Sequence, residues 1–228
     1  MRLTFRPKIG PPLLAATLVA ILSGCGTVHQ VNSRYDTTIG KKRQTTNVYQ
    51  KDPLPESLNR VALLPMYKGT YEHQDFEGIE ENFRLELVKR ALFEVVDLSP
   101  EDMNVLFPQP RYSSVEQLPV DLLTKLSAKY AVDGLMLLDV SYYNPYKPVG
   151  LGIRAKLLDG HTGEIIWAAD EVFDASNPAV SNAARKFYKT ESIIQYPLHN
   201  TLTILHSPNR FSKYVAHSLF SAIYLQKD

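Results

Sequence analysis

The spacing of apolar residues changes along this chain, and each spacing predicts an element. Residues 13–22 form an apolar run broken only by Thr17. Residues 25–57 hold few apolar side chains in no period, among Thr37-Thr38, Lys41-Lys42-Arg43-Gln44 and Thr45-Thr46-Asn47, and read as a tether with little structure. From residue 58 the pattern becomes dense. Arg60-Val61-Ala62-Leu63-Leu64-Pro65-Met66 has no polar alternation, which suits a strand covered on both faces. Ile79, Phe83, Leu87 and Ala91 recur at spacings of three and four, with Val88 and Leu92 beside them, and predict a helix with Glu80, Glu81, Arg84 and Lys89 outside. Phe93 to Leu98 reads as a second strand. Ser99-Pro100-Glu101-Asp102 is a helix start: a hydroxyl cap, a proline in the first turn, and acids at the positive end of the dipole.

Val120, Leu123, Leu126 and Ala128 predict another helix, which leads through Val132-Asp133-Gly134 into Leu135-Met136-Leu137-Leu138-Asp139-Val140. This last run is the most strand-like in the chain and belongs near a sheet centre. Residues 150–158 and 164–173 then read as a hairpin around Asp159-Gly160-His161-Thr162-Gly163, with Arg154 and Lys156 on a wet face. Helices are expected from Asn177-Pro178 and from Ser207-Pro208, the latter with an apolar stripe through Phe211, Tyr214 or Val215, and Leu219. Strands alternating with helices imply one α/β domain over residues 58–228. Its mixed sheet of about four to five strands would be flanked by helices in three layers.

The amino terminus carries a different signal. Arg2, Arg6 and Lys8 precede the apolar run, and Leu22-Ser23-Gly24-Cys25 follows it. Basic start, short apolar stretch and small residues are the layout of a secretory signal peptide over residues 1–24. The run is about half of what a membrane-spanning helix needs. Cys25 is the only cysteine among 228 residues, so no intramolecular disulfide is available and the core must supply stability. A cysteine at the cleavage point resembles the bacterial lipoprotein signal, and that resemblance implies that Cys25 is acylated and becomes the first residue of the mature chain. Gly26 stands where an aspartate would retain the protein at the inner membrane. By the same rule, the outer membrane is the expected location, with the domain facing the periplasm. Without its leader the chain keeps 22 of its 25 basic residues against 24 acidic ones, a formal charge of −2. Such balance argues against a nucleic-acid partner.

A longer resemblance is carried by Lys129-Tyr130-Ala131-Val132-Asp133-Gly134-Leu135-Met136 and by Ala155-Lys156-Leu157-Leu158-Asp159-Gly160-His161-Thr162-Gly163-Glu164-Ile165-Ile166-Trp167. Their order over residues 58–173, behind a lipoprotein-type signal, is similar to the curli-secretion (CsgG-like) superfamily, whose fold is like the amino-terminal domain of TolB. That resemblance implies a non-catalytic assembly or adaptor role in an envelope machine for secretion or polysaccharide export, through an envelope protein partner or a homo-oligomer. Activation of a peptidoglycan synthase is the alternative it leaves open. Curli channels insert long amphipathic hairpins. Residues 104–118 lack the necessary alternation, so a pore built by this chain alone is not expected.

Catalytic motifs are sparse. The histidines at 29, 73, 161, 199, 206 and 217 show no metal-ligand spacing. No phosphate loop, dinucleotide glycine motif or serine elbow occurs, and the reading is of a protein without catalysis, cofactor or metal. Tyr142, Tyr143 and Tyr146, interleaved with Asn144, Pro145, Lys147 and Pro148, are the candidate interface, expected on a loop or sheet edge. Rings in such a place either meet a partner or cover the edge of their own core. Phe187, Tyr188, Tyr196 and Pro197 form a second aromatic segment, and Trp167 reads as core.

Overall fold

The computed structural model describes residues 43–50, 52–191 and 201–224. The leader and Cys25 lie outside the described residues, as do Tyr196 and Pro197. The elements are β1 (Val48–Tyr49), β2 (Arg60–Leu63), α1 (Glu77–Lys89), β3 (Glu94–Asp97), α2 (Pro100–Leu106), α3 (Leu122–Tyr130), β4 (Gly134–Asn144), β5 (Gly150–Asp159), β6 (Ile165–Asp174), α4 (Pro178–Glu191) and α5 (Pro208–Phe220). Short 3-10 turns occupy Gly69–Tyr71 and Thr201–His206. No helix among the described residues is long and apolar enough to cross a membrane.

The six strands form one mixed sheet in the order β1-β6-β5-β4-β2-β3. β2 runs parallel to β3 and β4, and the remaining neighbours are antiparallel. Two-sided burial explains the apolar runs. Val61, Leu63, Met136 and Leu138 pack with Phe83, Leu87, Phe211 and Phe220, beneath α1, α4 and α5. Their sequence neighbours Ala62, Leu64, Leu135 and Leu137 pack on the opposite face with Met103, Leu122 and Leu126 of α2 and α3. The pleat sends successive side chains to opposite layers, so a strand covered twice can carry no polar alternation. β4 is central, as the sequence predicts. The α/β class and its three layers agree with expectation, but the sheet has one strand more than the four to five predicted.

Local chemistry sets the element ends. Ser99 Oγ accepts from the Asp102 amide at 3.1 Å, while Asp102 Oδ2 accepts from the Ser99 amide at 3.1 Å, closing a capping box at α2. α1 stops earlier than its apolar stripe predicts. Ala91 leaves the helix with φ +50° to turn the chain into β3, and Val88 is 46 % exposed. Beyond β4 the α2–α3 layer ends, and Arg154, Lys156 and Asp170 are only half-buried on that face.

The sixth strand corrects the tether reading. Of the residues expected to hang loose, 43–50 lie docked against the domain, with Val48 opposite Ala169 and Tyr49 opposite Ala168. Leu54 and Leu58 are buried in the main core. The globular part therefore begins well before residue 58. Hydrophobic period could not find this strap because hydrogen bonds, rather than an apolar face, hold most of it.

Candidate functional site

One buried carboxylate receives the strap. Along β6, Trp167, Ala169, Glu171 and Phe173 share the face turned to the main core, so Glu171 is carried inward by strand parity. A charge in that position needs partners, and the strap supplies them. Arg43 Nη2 donates to Glu171 Oε1 at 2.5 Å. The Thr46 amide, Thr46 Oγ1 and the Asn47 amide donate to Oε2 at 3.0, 3.1 and 3.2 Å. The Arg43 guanidinium also lies over the Phe173 ring, 5.7 Å from its centroid. Thr45 Oγ1 donates to the Ser218 carbonyl on α5 at 3.0 Å. At the far end Gln50 Nε2 donates to the Tyr224 carbonyl at 2.7 Å, and the Tyr224 hydroxyl donates to the Gln50 carbonyl at 3.1 Å.

Between the strap, α4 and α5 lies a half-open groove of about 680 Å³. Phe187, Tyr214 and Val48 give it apolar surface, while Lys186, His217 and Gln44 give it polar edges. His217 stacks against Phe187 with centroids 4.8 Å apart, and its Nδ1 lies 3.3 Å from Oε2 of the buried Glu86 on α1. Lys89 Nζ reaches the other oxygen of Glu86 at 2.7 Å. Burial pushes the Tyr214 hydroxyl up to about 12, although Arg43 and Ser218 pull it down, so it remains a neutral group at the groove floor. The mixture suits an amphipathic guest. Among the described residues, no three His, Cys, Asp or Glu side chains gather as metal ligands.

A second concavity, about 620 Å³, lies at the carboxyl ends of β2 and β3. Three of the five carboxylates that line it face cations. Glu80 Oε1 lies 2.8 Å from Lys68 Nζ and 4.0 Å from Arg111 Nη2. Arg84 holds Glu81 at 2.5 Å and approaches Asp97 at 3.8 Å. Burial raises the Asp97 carboxyl above its ordinary range despite Arg84.

The structure separates the three tyrosines of the candidate interface. Tyr142 and Tyr143 are not on a loop: beyond a register shift at Ser141 they pair with Gly152 and Leu151 of β5. The prolines fall after Asn144, in the connection itself, and so do not interrupt the ladder. Tyr143 turns into the core, 4.6 Å from Phe76 and 6.0 Å from Tyr71 between centroids, and burial raises its hydroxyl pKa. Tyr142 lies on the opposite face, across a glycine floor. A Cβ on Gly150 would come within 2.5 Å of its Cε1. Only Tyr146 is fully presented, at 78 % exposure. Trp167 is completely buried, and Asp159 accepts from the His161 and Thr162 amides within the β5–β6 turn.

The sequence reading missed three buried carboxylates: Glu171, Glu86 and Asp139. Two carried a signal. Glu171 interrupts an inward alternation, and Asp139 stands inside an apolar run. Asp139 accepts from Ser113 Oγ, the Ser114 amide and Ser114 Oγ, each at 2.9 Å, which pins the loop after α2 across β4. Lys156 Nζ donates to the Ser114 carbonyl on the same loop.

No protein-family model matches the chain, and no curated protein matches it in sequence. Solved structures do share parts of its architecture. A PelC dodecamer from Paraburkholderia phytofirmans is 9 % identical, over 79 % of this chain and 98 % of the other, with a TM-score of 0.44. Lipoprotein GNA1162 from Neisseria meningitidis is 14 % identical over 59 % of this chain and 99 % of its own length, with a TM-score of 0.37. The LpoB C-terminal domain from Salmonella enterica is 14 % identical over 50 % and 82 %, with a TM-score of 0.36. These values are too low to carry a function or an oligomeric state to this chain.

Proposed function

We propose that this chain is a lipid-anchored, non-catalytic adaptor of the bacterial cell envelope, holding a protein partner at the periplasmic side of the outer membrane. The observation that carries the reading is the clamped strap. The segment arriving from the acylation signal at Cys25 is fastened to Glu171 and forms one wall of the groove. Anchor and binding surface are thereby one continuous piece of chain. The basic start, short apolar run and Cys25 support export and lipidation, and Gly26 supports the outer membrane. The groove's lining offers contact area and hydrogen bonds, as an adaptor needs.

Photo-crosslinking in intact cells tests this reading. A photoreactive residue at Lys186, on the groove, should capture one envelope protein, and the same residue at Val105, exposed on α2, should not. Recovery of a peptidoglycan synthase alone would move the function to cell-wall synthesis. Capture that is equal at both positions would remove the groove as the adaptor surface. Cys25→Ser should abolish acylation, and a variant still carrying lipid would refute the anchor.

A further inference from the structure

Few apolar contacts hold the strap. Val48 is half-buried against the core, but Tyr49 is 51 % exposed, and β1 pairs over only two residues. What remains is a set of polar fastenings, among them Thr45 to the Ser218 carbonyl on α5 and Asn47 to the Asp170 carbonyl on β6. Glu171 gathers Arg43, Thr46 and Asn47 at one end, and Tyr224 meets Gln50 at the other. Segments held this way open locally at free energies well below that of global unfolding. The next firm attachment along the chain is Leu54, buried in the main core.

We infer that residues 43–50 are a releasable clasp that sets how far the domain can stand from its anchor. With the clasp closed, 18 peptide steps separate Cys25 from Arg43, the first fastening among the described residues, a span of at most about 60–65 Å. With it open, the first fixed point among the described residues is Leu54. The span then grows by eleven steps, to about 100 Å. Opening also removes Arg43, Gln44, Thr45, Val48 and Gln50 from the groove wall, so a guest that touches both strap and α5 favours the closed, short state. The gain in reach rests on the lipid-anchor reading; the clasp does not.

Hydrogen exchange on the full acylated chain in nanodiscs tests the clasp. In the native chain, residues 43–50 should exchange faster than β4 and β5. Glu171→Ala should speed the Thr46 and Asn47 amides by about tenfold or more, since it removes their charged acceptor, while β4 and β5 stay unchanged. Equal protection of strap and core in the native chain would overturn the inference. So would a uniform acceleration of strap, β4 and β5 in the variant. Should Glu171→Ala fail to fold, Arg43→Ala and Gln50→Ala loosen the two ends separately and are read by the same criterion. Neutron reflectometry on a supported bilayer should place the Glu171→Ala domain farther out than the native one; an unmoved domain overturns the reach. Should Cys25→Ser still sit on the bilayer, the anchor reading fails while the exchange result stands.

Discussion

Replacing Asp139 by alanine should destabilise the domain by about 3 kcal/mol, through three donors left behind as much as through the charge removed. The carboxylate is almost completely buried in the centre of β4 and accepts from Ser113 Oγ, the Ser114 amide and Ser114 Oγ. Hydrogen bonds to a charged acceptor contribute about 1.5–3 kcal/mol each, but three bonds to one group are far from additive. Against the loss stands the relief of a buried charge, which offsets part of it. The hydroxyls of Ser113 and Ser114 can rotate toward other acceptors, whereas the Ser114 amide cannot. That single orphaned donor costs about 1–3 kcal/mol and sets the floor of the effect. Asp139→Asn keeps one acceptor oxygen and the shape of the side chain, so its loss should be about half as large. Urea unfolding at neutral pH reads both. With a slope near 2 kcal/mol per molar, typical of domains this size, the alanine variant's midpoint should fall by about 1.5 M. Hydrogen exchange should show residues 113–116 released even where the sheet is intact. A shift below about 0.5 M, or an asparagine variant worse than alanine, would falsify the view that this carboxylate pins the loop.

Other outcomes follow from the same geometry. Ser99→Ala should lower stability by about 1 kcal/mol, seen as a drop in Tm. Because its bonds to Ser99 hold Asp102 below its ordinary carboxylate range, the stability the pair adds is present above that range and is lost as pH falls through the depressed value. Ser99→Ala should flatten that acid limb. Tyr214 gives the opposite limb. Its phenol ionises near 10 when unfolded and about 12 when folded, so stability should decline as pH rises through that window, and Tyr214→Phe should reduce the slope, leaving the part that the buried Tyr143 adds. Gly160→Ala should cost more than Gly150→Ala. Its Cβ would meet the Asp133 carbonyl oxygen at 2.6 Å, which is backbone, whereas at Gly150 the obstacle is a movable ring. Paired chemical denaturation curves decide between them.

Most of the fold was legible because apolar spacing reports it directly. Residues 61–66 and 135–140 are buried on both faces, the one situation in which a strand shows no alternation, and their centrality could be read from that alone. Ser99-Pro100 and Ser207-Pro208 both start helices, since capping is decided within four residues. Features that depend on distant partners were not legible. Residues 43–50 are polar, and nothing local distinguishes a polar strap from a polar tether. The difference lies in Glu171, more than 120 residues away. The expected placement of Tyr142 and Tyr143 on a loop or sheet edge failed for a related reason. Pro145 and Pro148 argued against pairing, but both lie beyond Asn144, and the strand parity that sends Tyr143 inward and Tyr142 outward depends on a register shift at Ser141.

The strap changes how the tether should respond to shortening, and this offers a genetic check on the clasp. Deleting eleven residues between Cys25 and Arg43 leaves seven peptide steps with the clasp closed, a span of at most about 25 Å. Opening the clasp returns eleven steps and restores the bound of about 60–65 Å that the native closed chain has. If reach limits the encounter with an envelope partner, the deletion should lose most of the photo-crosslinked adduct formed from Lys186. Adding Glu171→Ala to it should recover that adduct. The recovered yield is that of Glu171→Ala alone, which falls below native because the open clasp takes Arg43, Gln44, Thr45, Val48 and Gln50 out of the groove wall, while the longer tether itself lowers effective concentration only slowly. A deletion that costs nothing would mean that reach does not limit the encounter. A deletion that is harmful but unrelieved by Glu171→Ala, with the variant folded and acylated, would mean that the strap does not open under tension and that the domain works with its anchor fixed at Glu171.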